Sequence, residues 1–264
     1  MRYLLACLLL FISVRVKAQQ PVLLNEIVMP LADFTADNLG NIYLLTKDNR
    51  LKKFTEKGDS VSVYNDVRRF GKVYSMDASN PLKLLLYYKD FSTVVELDRL
   101  LNIRNTIDLK KIDIFQPRAL GLSNDNRIWV YDELNAQLKK VDENGALVLA
   151  TTDLRQTLDS LPSPSLLTDQ EAVVYLYDST KGVYLFDYFG TFRNRIPFRG
   201  WNDFQVVGKY LFGRKGSVLY RYETGSLSLT EQEMGDIFSG ALKVKLTPLR
   251  LYILYSDKLS IYSL

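Results

Sequence analysis

From Val22 onward the apolar residues fall in short runs separated by clusters of Asp, Asn, Gly and Pro, with no sustained stripe at helical spacing. The most apolar runs are Asn41 to Thr46, Lys83 to Tyr88, Arg127 to Tyr131, Ala172 to Tyr177, Lys209 to Phe212 and Leu249 to Tyr255. Their richness in Val, Ile, Leu, Tyr and Trp predicts central strands buried on both faces. Each is followed by turn residues and then by a second cassette: an apolar residue, two spacers, another apolar residue, a polar residue and usually a Gly. Leu138 to Gly145, LKKVDENG, is the clearest copy. Others lie at Leu51, Phe54 and Gly58 and at Val183, Phe186, Asp187 and Gly190. Looser ones lie at Val94, Leu97 and Asp98, at Leu219, Tyr222, Glu223 and Gly225, and at Leu259 and Tyr262. The odd spacing puts the two apolar residues on opposite faces of a strand, and the polar residue and Gly then turn the chain.

Six copies at a period of roughly 36 to 45 residues describe a four-stranded antiparallel meander repeated six times. The predicted fold is all-β, a six-bladed β-propeller whose blades pack face to face around a central channel. The 246 residues after residue 18 allow about 41 per blade. The strands lining the channel are expected around Asp33 to Ala36, Val73 to Met76, Arg118 to Gly121, Ser165 to Leu167, Phe204 to Val207 and Leu242 to Lys245. The last period stops after its third strand, whereas Val22 to Met29 has no blade of its own. This N-terminal strand is therefore expected to complete the sixth blade and close the ring. Local helix signals are weaker. Thr168 with Glu171 matches a capping box, and Leu134, Leu138 and Val141 fall at helical spacing, but both sit in the repeat frame and are read as strand. Only Asp153 to Leu161 is expected to hold a short helix. In the same frame Lys139, Lys140 and Asp142 read as scaffold decoration.

The first 18 residues carry Arg2, the apolar run Tyr3 to Val14, and Ala18 before Gln19, which reads as a secretory signal peptide, leaving one domain over residues 19–264. The run is short of the ~20 residues that span a bilayer. Export is expected, to the periplasm, to the outer membrane as an associated protein, or to the medium. Cys7, the single cysteine, precedes most of the apolar run and is not read as a lipid-attachment site. The net charge of +4 falls once Arg2, Arg15 and Lys17 are removed, to 31 basic against 30 acidic residues. Nothing global then favours nucleic acid or anionic lipid.

The chain has no histidine. Ser-His-Asp hydrolysis and His-ligated metal centres are excluded, and thiol chemistry leaves with Cys7. A calcium-dependent propeller hydrolase would need several converging acids in the channel. Only Asp33 and Asp203 stand at the expected depth, so no catalytic residue, metal ligand or cofactor is assigned. A second feature recurs in the loops that lead into the channel strands: an aromatic residue with basic neighbours. They read Arg68-Arg69-Phe70-Gly71-Lys72, Phe115-Gln116-Pro117-Arg118 and Phe198-Arg199-Gly200-Trp201, with Ile237-Phe238-Ser239 and, upstream of Phe115, Lys110-Lys111. Aromatic anchors beside Arg are favoured at protein–protein contacts. They also suit a purely structural role, plugging the gaps between blades.

The cassette DNLGNIYLLTKDNRLKKF at residues 37 to 54 resembles NHL-type and related six-bladed β-propellers, and with the signal segment the chain resembles exported propellers of Bacteroidota. WD40 repeats are less similar, because their Gly-His and Trp-Asp marks are missing. The resemblance implies a rigid, non-catalytic platform in the cell envelope that binds a protein partner. The expected face is the mouth carrying Arg69, Phe70, Phe115, Arg118, Arg199 and Trp201. The alternative is a lactonase-like hydrolase or a carbohydrate-binding protein working through the channel.

Overall fold

The computed structural model describes residues 21–264, so the expected signal peptide lies outside the described residues. Six four-stranded antiparallel sheets form the blades of a β-propeller. Blade 1 comprises Leu31–Ala36, Ile42–Thr46, Leu51–Phe54 and Ser60–Tyr64, from the channel outward. Blade 2 runs Ser75–Asn80, Lys83–Tyr88, Thr93–Asp98 and Ile103–Asp108. Blade 3 runs Pro117–Leu122, Ile128–Asp132, Gln137–Val141 and Leu147–Ala150. Blade 4 follows as Leu166–Gln170, Val173–Asp178, Gly182–Asp187 and Phe192–Ile196, and blade 5 as Asn202–Val207, Tyr210–Lys215, Val218–Glu223 and Ser228–Glu233. Blade 6 takes Lys243–Leu246, Arg250–Leu254 and Lys258–Ser263 from the C-terminal end and Val22–Val28 from the N-terminal side. That last strand pairs antiparallel with Lys258–Ser263, matching Val22 to Ser263 and Val28 to Lys258, and closes the ring as expected.

The apolar patterning explains why the blades stack. Ile42–Thr46, Lys83–Tyr88 and Ile128–Asp132 are buried along their whole length, as strands covered on both faces must be. There is consequently no single core. Six apolar clusters form, each shared by two adjacent blades; Leu85, Tyr87 and Val94 of blade 2, for example, pack on Leu120, Ile128 and Val130 of blade 3. The outer strands are largely exposed, as in Ser228–Glu233.

Polar side chains add at least one tie at each blade interface. Lys53 Nζ of blade 1 donates to Arg99 O of blade 2 at 2.8 Å. Asp77 Oδ2 of blade 2 accepts from Leu122 N of blade 3 at 2.8 Å. Asp169 of blade 4 accepts from Ser123 Oγ, Asn124 Nδ2 and Trp129 Nε1 of blade 3 at 2.8, 3.0 and 3.1 Å. The Tyr177 hydroxyl donates to Trp201 O and accepts from Trp201 N, both at 2.7 Å. Gln205 Oε1 accepts from Leu246 N at 2.7 Å. Lys243 Nζ crosses from blade 6 to Asp33 Oδ1 and Phe34 O of blade 1, at 2.6 and 3.0 Å.

Two expectations change. Asp153 to Leu161 holds a single 3-10 turn, Leu154–Gln156, capped by the Asp153 carboxylate on Arg155 N. Lys139 and Lys140 are more than decoration on the scaffold. Both are buried in the third strand of blade 3. Lys139 pairs with Asp132 at 2.8 Å. Lys140 pairs with Asp125 at 3.3 Å and lies over the Trp129 and Tyr188 rings, 4.2 and 3.6 Å from their centroids. The misreading has a physical cause: on a strand covered on both faces, alternation marks no solvent side, so a lysine must find an acid inside.

Candidate functional site

The innermost strands enclose a channel of about 570 Å³. The antiparallel meanders divide its two ends. One mouth gathers the loops that lead into the inner strands together with the hairpins joining second to third strands. The other gathers the first hairpin of each blade, including Asn38, Asn80, Asn124 and Pro248.

The channel wall is polar, and most of its charges are already engaged. Asp77 accepts backbone N–H groups of Ser79 and Leu122. Asp169 is held by blade 3. Asp203 accepts from Arg214 Nε at 2.9 Å; burial raises its pKa, with the Arg214 hydrogen bond and charge opposing. Asp33 faces Lys243. No group of three His, Cys, Asp or Glu side chains among the described residues is placed to hold a metal ion. Two cations stand apart. Arg118 lines the upper channel with its guanidinium 3.9 Å from Glu133, both side chains more than a third exposed. Lys245 lines the channel with no hydrogen bond or ion pair to any described residue. Its pKa is lowered, first by desolvation and then by the charge of Lys243, against opposing pulls from Asp77 and Asp33.

The six residues expected at the binding face fall in three connections. Arg69 and Phe70 lie in the one-turn helix Val67–Phe70 between blades 1 and 2. Phe115 lies between blades 2 and 3, Arg118 is the second residue of the innermost strand of blade 3, and Arg199 and Trp201 lie between blades 4 and 5. Arg69, Phe115 and Arg199 are exposed and Arg118 is partly so, whereas Phe70 and Trp201 are core residues at 6% and 3% exposure. Trp201 stacks on Phe198 with centroids 4.3 Å apart. It also lies so close over Gly213 that a Cβ there would collide with the indole. These two aromatics plug blade gaps and position their loops.

Other residues reach the same mouth without having been singled out from the sequence. Tyr74 is 51% exposed, with Lys89 Nζ 4.8 Å above its ring and Tyr87 edge-on beneath. Phe91, on the neighbouring hairpin, is 54% exposed and adjoins Gly71. With Phe115 they give blades 2 and 3 three exposed aromatics among Arg69, Lys89 and Arg118. Tyr74 was visible in the sequence only as a strand residue, and Phe91, three residues past the apolar run Lys83 to Tyr88, carried no signal of its own. In the channel, Asp77 and Asp169 also went unnoticed, because each stands one or two residues past the expected strand segment.

No protein-family model matches the chain, and no curated protein matches it in sequence. Solved structures do match its fold. Virginiamycin B lyase from Staphylococcus aureus superposes with a TM-score of 0.64 at 12% identity, over 91% of this chain and 98% of that one. The WD40 domain of Neurospora crassa Pan2 gives 0.62 at 12% identity, over 90% and 80%. The propeller domain of Cps50 (Swd1) from Myceliophteria thermophila gives 0.62 at 10%, over 92% and 99%. At such identities the likeness is one of fold. Among the described residues no helix is long and apolar enough to cross a membrane.

Proposed function

We propose that this chain is an exported, non-catalytic propeller of NHL-like type that binds a protein partner in the cell envelope through the mouth above blades 2 and 3. The observation that carries this reading is the cluster of exposed aromatics, Tyr74, Phe91 and Phe115, set among Arg69, Lys89 and Arg118. Large apolar side chains left in water on a rigid scaffold are costly unless covered, and aromatic residues beside Arg are the composition that partners cover. Arg199 extends the face toward blade 5, while Phe70 and Trp201 hold the loops in place. The signal-like residues 1–18 support export to the envelope.

The channel-enzyme alternative has less support. The acids of the wall are tied to backbone, amide or cationic partners, so they are not arranged to converge on an ion. The structurally similar virginiamycin B lyase is inactive when one histidine is replaced by alanine, and this chain has no histidine to carry that chemistry.

A photo-crosslinking residue at position 115 in the native host is the direct test. A discrete adduct is expected, and the purified adduct protein should bind Arg118→Glu at least tenfold more weakly than wild type, with Phe115→Ser similar. If crosslinkers at 74, 91 and 115 all give no adduct, or the charge reversal leaves affinity unchanged, this face is not the binding surface.

A further inference from the structure

Along the innermost strand of blade 6, Lys243 and Lys245 alternate with Val244 and Leu246. Val244 and Leu246 pack with Leu219 and Met234 of the blade 5 side, so the two lysines leave the strand toward blade 1. Lys243 is held there by Asp33 and Phe34 O. Lys245 is not held. The four buried lysines of the described residues each have a partner, Lys53 a carbonyl, Lys83 Glu96, Lys139 Asp132 and Lys140 Asp125, whereas Lys245 is half-buried at the channel wall. Lys245 instead presents its amine to the channel beside a fixed ammonium, a setting that penalises a second positive charge.

We propose that Lys245 is a nucleophilic amine that forms an imine with a small aldehyde or ketone admitted to the central channel. A neutral amine needs no counter-ion, which accounts for the missing partner, and a neighbouring cation is one of the ways a lysine is kept nucleophilic. The lowered pKa of Lys245 agrees: desolvation and Lys243 outweigh Asp77 and Asp33. A space of about 570 Å³ lies in the range of small-molecule sites. The Nζ lone pair attacks the carbonyl carbon, the C–O π electrons move to oxygen, and a proton passes from nitrogen to that oxygen to give the carbinolamine. Loss of water then forms the C=N bond.

Reductive alkylation of the intact protein tests the proposal. Propionaldehyde supplies the carbonyl, and cyanoborohydride delivers hydride to the imine carbon, fixing the adduct as a secondary amine. At pH 7.5 an ordinary lysine is neutral in only about one molecule in a thousand. Peptide mass spectrometry should find Lys245 alkylated at least tenfold faster than exposed Lys57 and Lys110, and the ratio should collapse to about one in urea. Lys245→Arg should lose the fast phase and keep the slow one. Alkylation of Lys245 no faster than that of Lys57 and Lys110 overturns the proposal. So does a fast phase that survives in Lys245→Arg, or a tenfold ratio that persists in urea.

Discussion

The interface between blades 3 and 4 and the channel wall of blade 6 both place charge inside the protein, and they treat it in opposite ways. Between blades 3 and 4, Asp169 receives three side-chain donors, Lys140 lies between two aromatic rings against Asp125, and Tyr188 donates to that same Asp125 at 2.5 Å. On the blade 6 wall, Lys243 is held by Asp33 and Phe34 O, whereas Lys245, two residues away, faces the channel without a partner. Where buried charge serves packing it has a partner of opposite charge or a hydrogen bond, because a buried charge left alone costs more than the pair contributes. A charged residue left unfilled in a cavity is therefore the informative exception.

The comparison can be broken most severely by removing what both regions depend on. Deleting residues 21–28 takes away the fourth strand of blade 6 and exposes the edge of Lys258–Ser263. The expected outcome is loss of the cooperative thermal transition of the whole ring, measured by calorimetry on the purified protein. A deletion variant melting like the full chain would mean that the ring does not need its N-terminal strand.

The next largest effect is local. Asp132→Ala strands Lys139, whose side chain is 7% exposed and whose close acidic partner is Asp132. A loss of about 3–5 kcal/mol is expected in urea denaturation, with the m-value unchanged. A loss below about 1 kcal/mol would show that the lysine finds water or another acid.

How far the sequence foretells this depends on the residue. The blades were legible because turn residues recur between apolar runs, and the closure because Val22 to Met29 had no blade of its own. Lys139 and Lys140 were misread because a charged residue in a strand covered on both faces has the same sequence signature as one on a surface. Phe70 and Trp201 looked like surface anchors because their loops were basic, but the basic neighbours point to water while the rings fill gaps between blades. Lys245 stood in the expected inner strand, yet only the fold shows that Lys243 consumes Asp33 and leaves Lys245 with nothing. One-dimensional pattern reports periodicity; it does not report which of two neighbouring lysines pairs with Asp33.

Acid titration sharpens the same contrast with a smaller effect. Burial works against the charge of Asp125, but the hydrogen bond from the Tyr188 hydroxyl, the Arg127 amide and the Lys140 charge outweigh it and hold the pKa at about 2. An unfolded Asp titrates near 3.9. The stabilisation is thus fully present above about pH 4 and is lost as pH falls toward 2, because the unfolded chain takes up the proton first. Melting temperatures measured from pH 5 to pH 2 should fall more steeply for the wild type than for Asp125→Asn. Parallel curves would mean that Asp125 carries none of the acid sensitivity.

Lys245→Met should give the smallest change, and its sign separates the two regions. Methionine keeps much of the side-chain length and removes an amine that has no partner, so no acid is stranded and the cost of desolvating the amine disappears. The variant is expected within about 1 kcal/mol of wild type on the stabilising side, whereas Lys139→Met strands Asp132 and should lose several times that amount. The pH dependence follows from the lowered pKa of Lys245. Below that pKa both folded and unfolded chains carry the proton, and the folded one bears the cost of the buried charge. As pH rises, the folded chain releases its proton while the unfolded chain holds its own up to about 10.4, so the wild type gains stability relative to Lys245→Met. Paired urea titrations at pH 7 and pH 9.5 measure that narrowing gap. A gap that widens with pH, or a Lys245→Met variant less stable by more than about 2 kcal/mol, would mean that Lys245 is held as firmly as Lys139 and that the channel wall is no different from the blade interface.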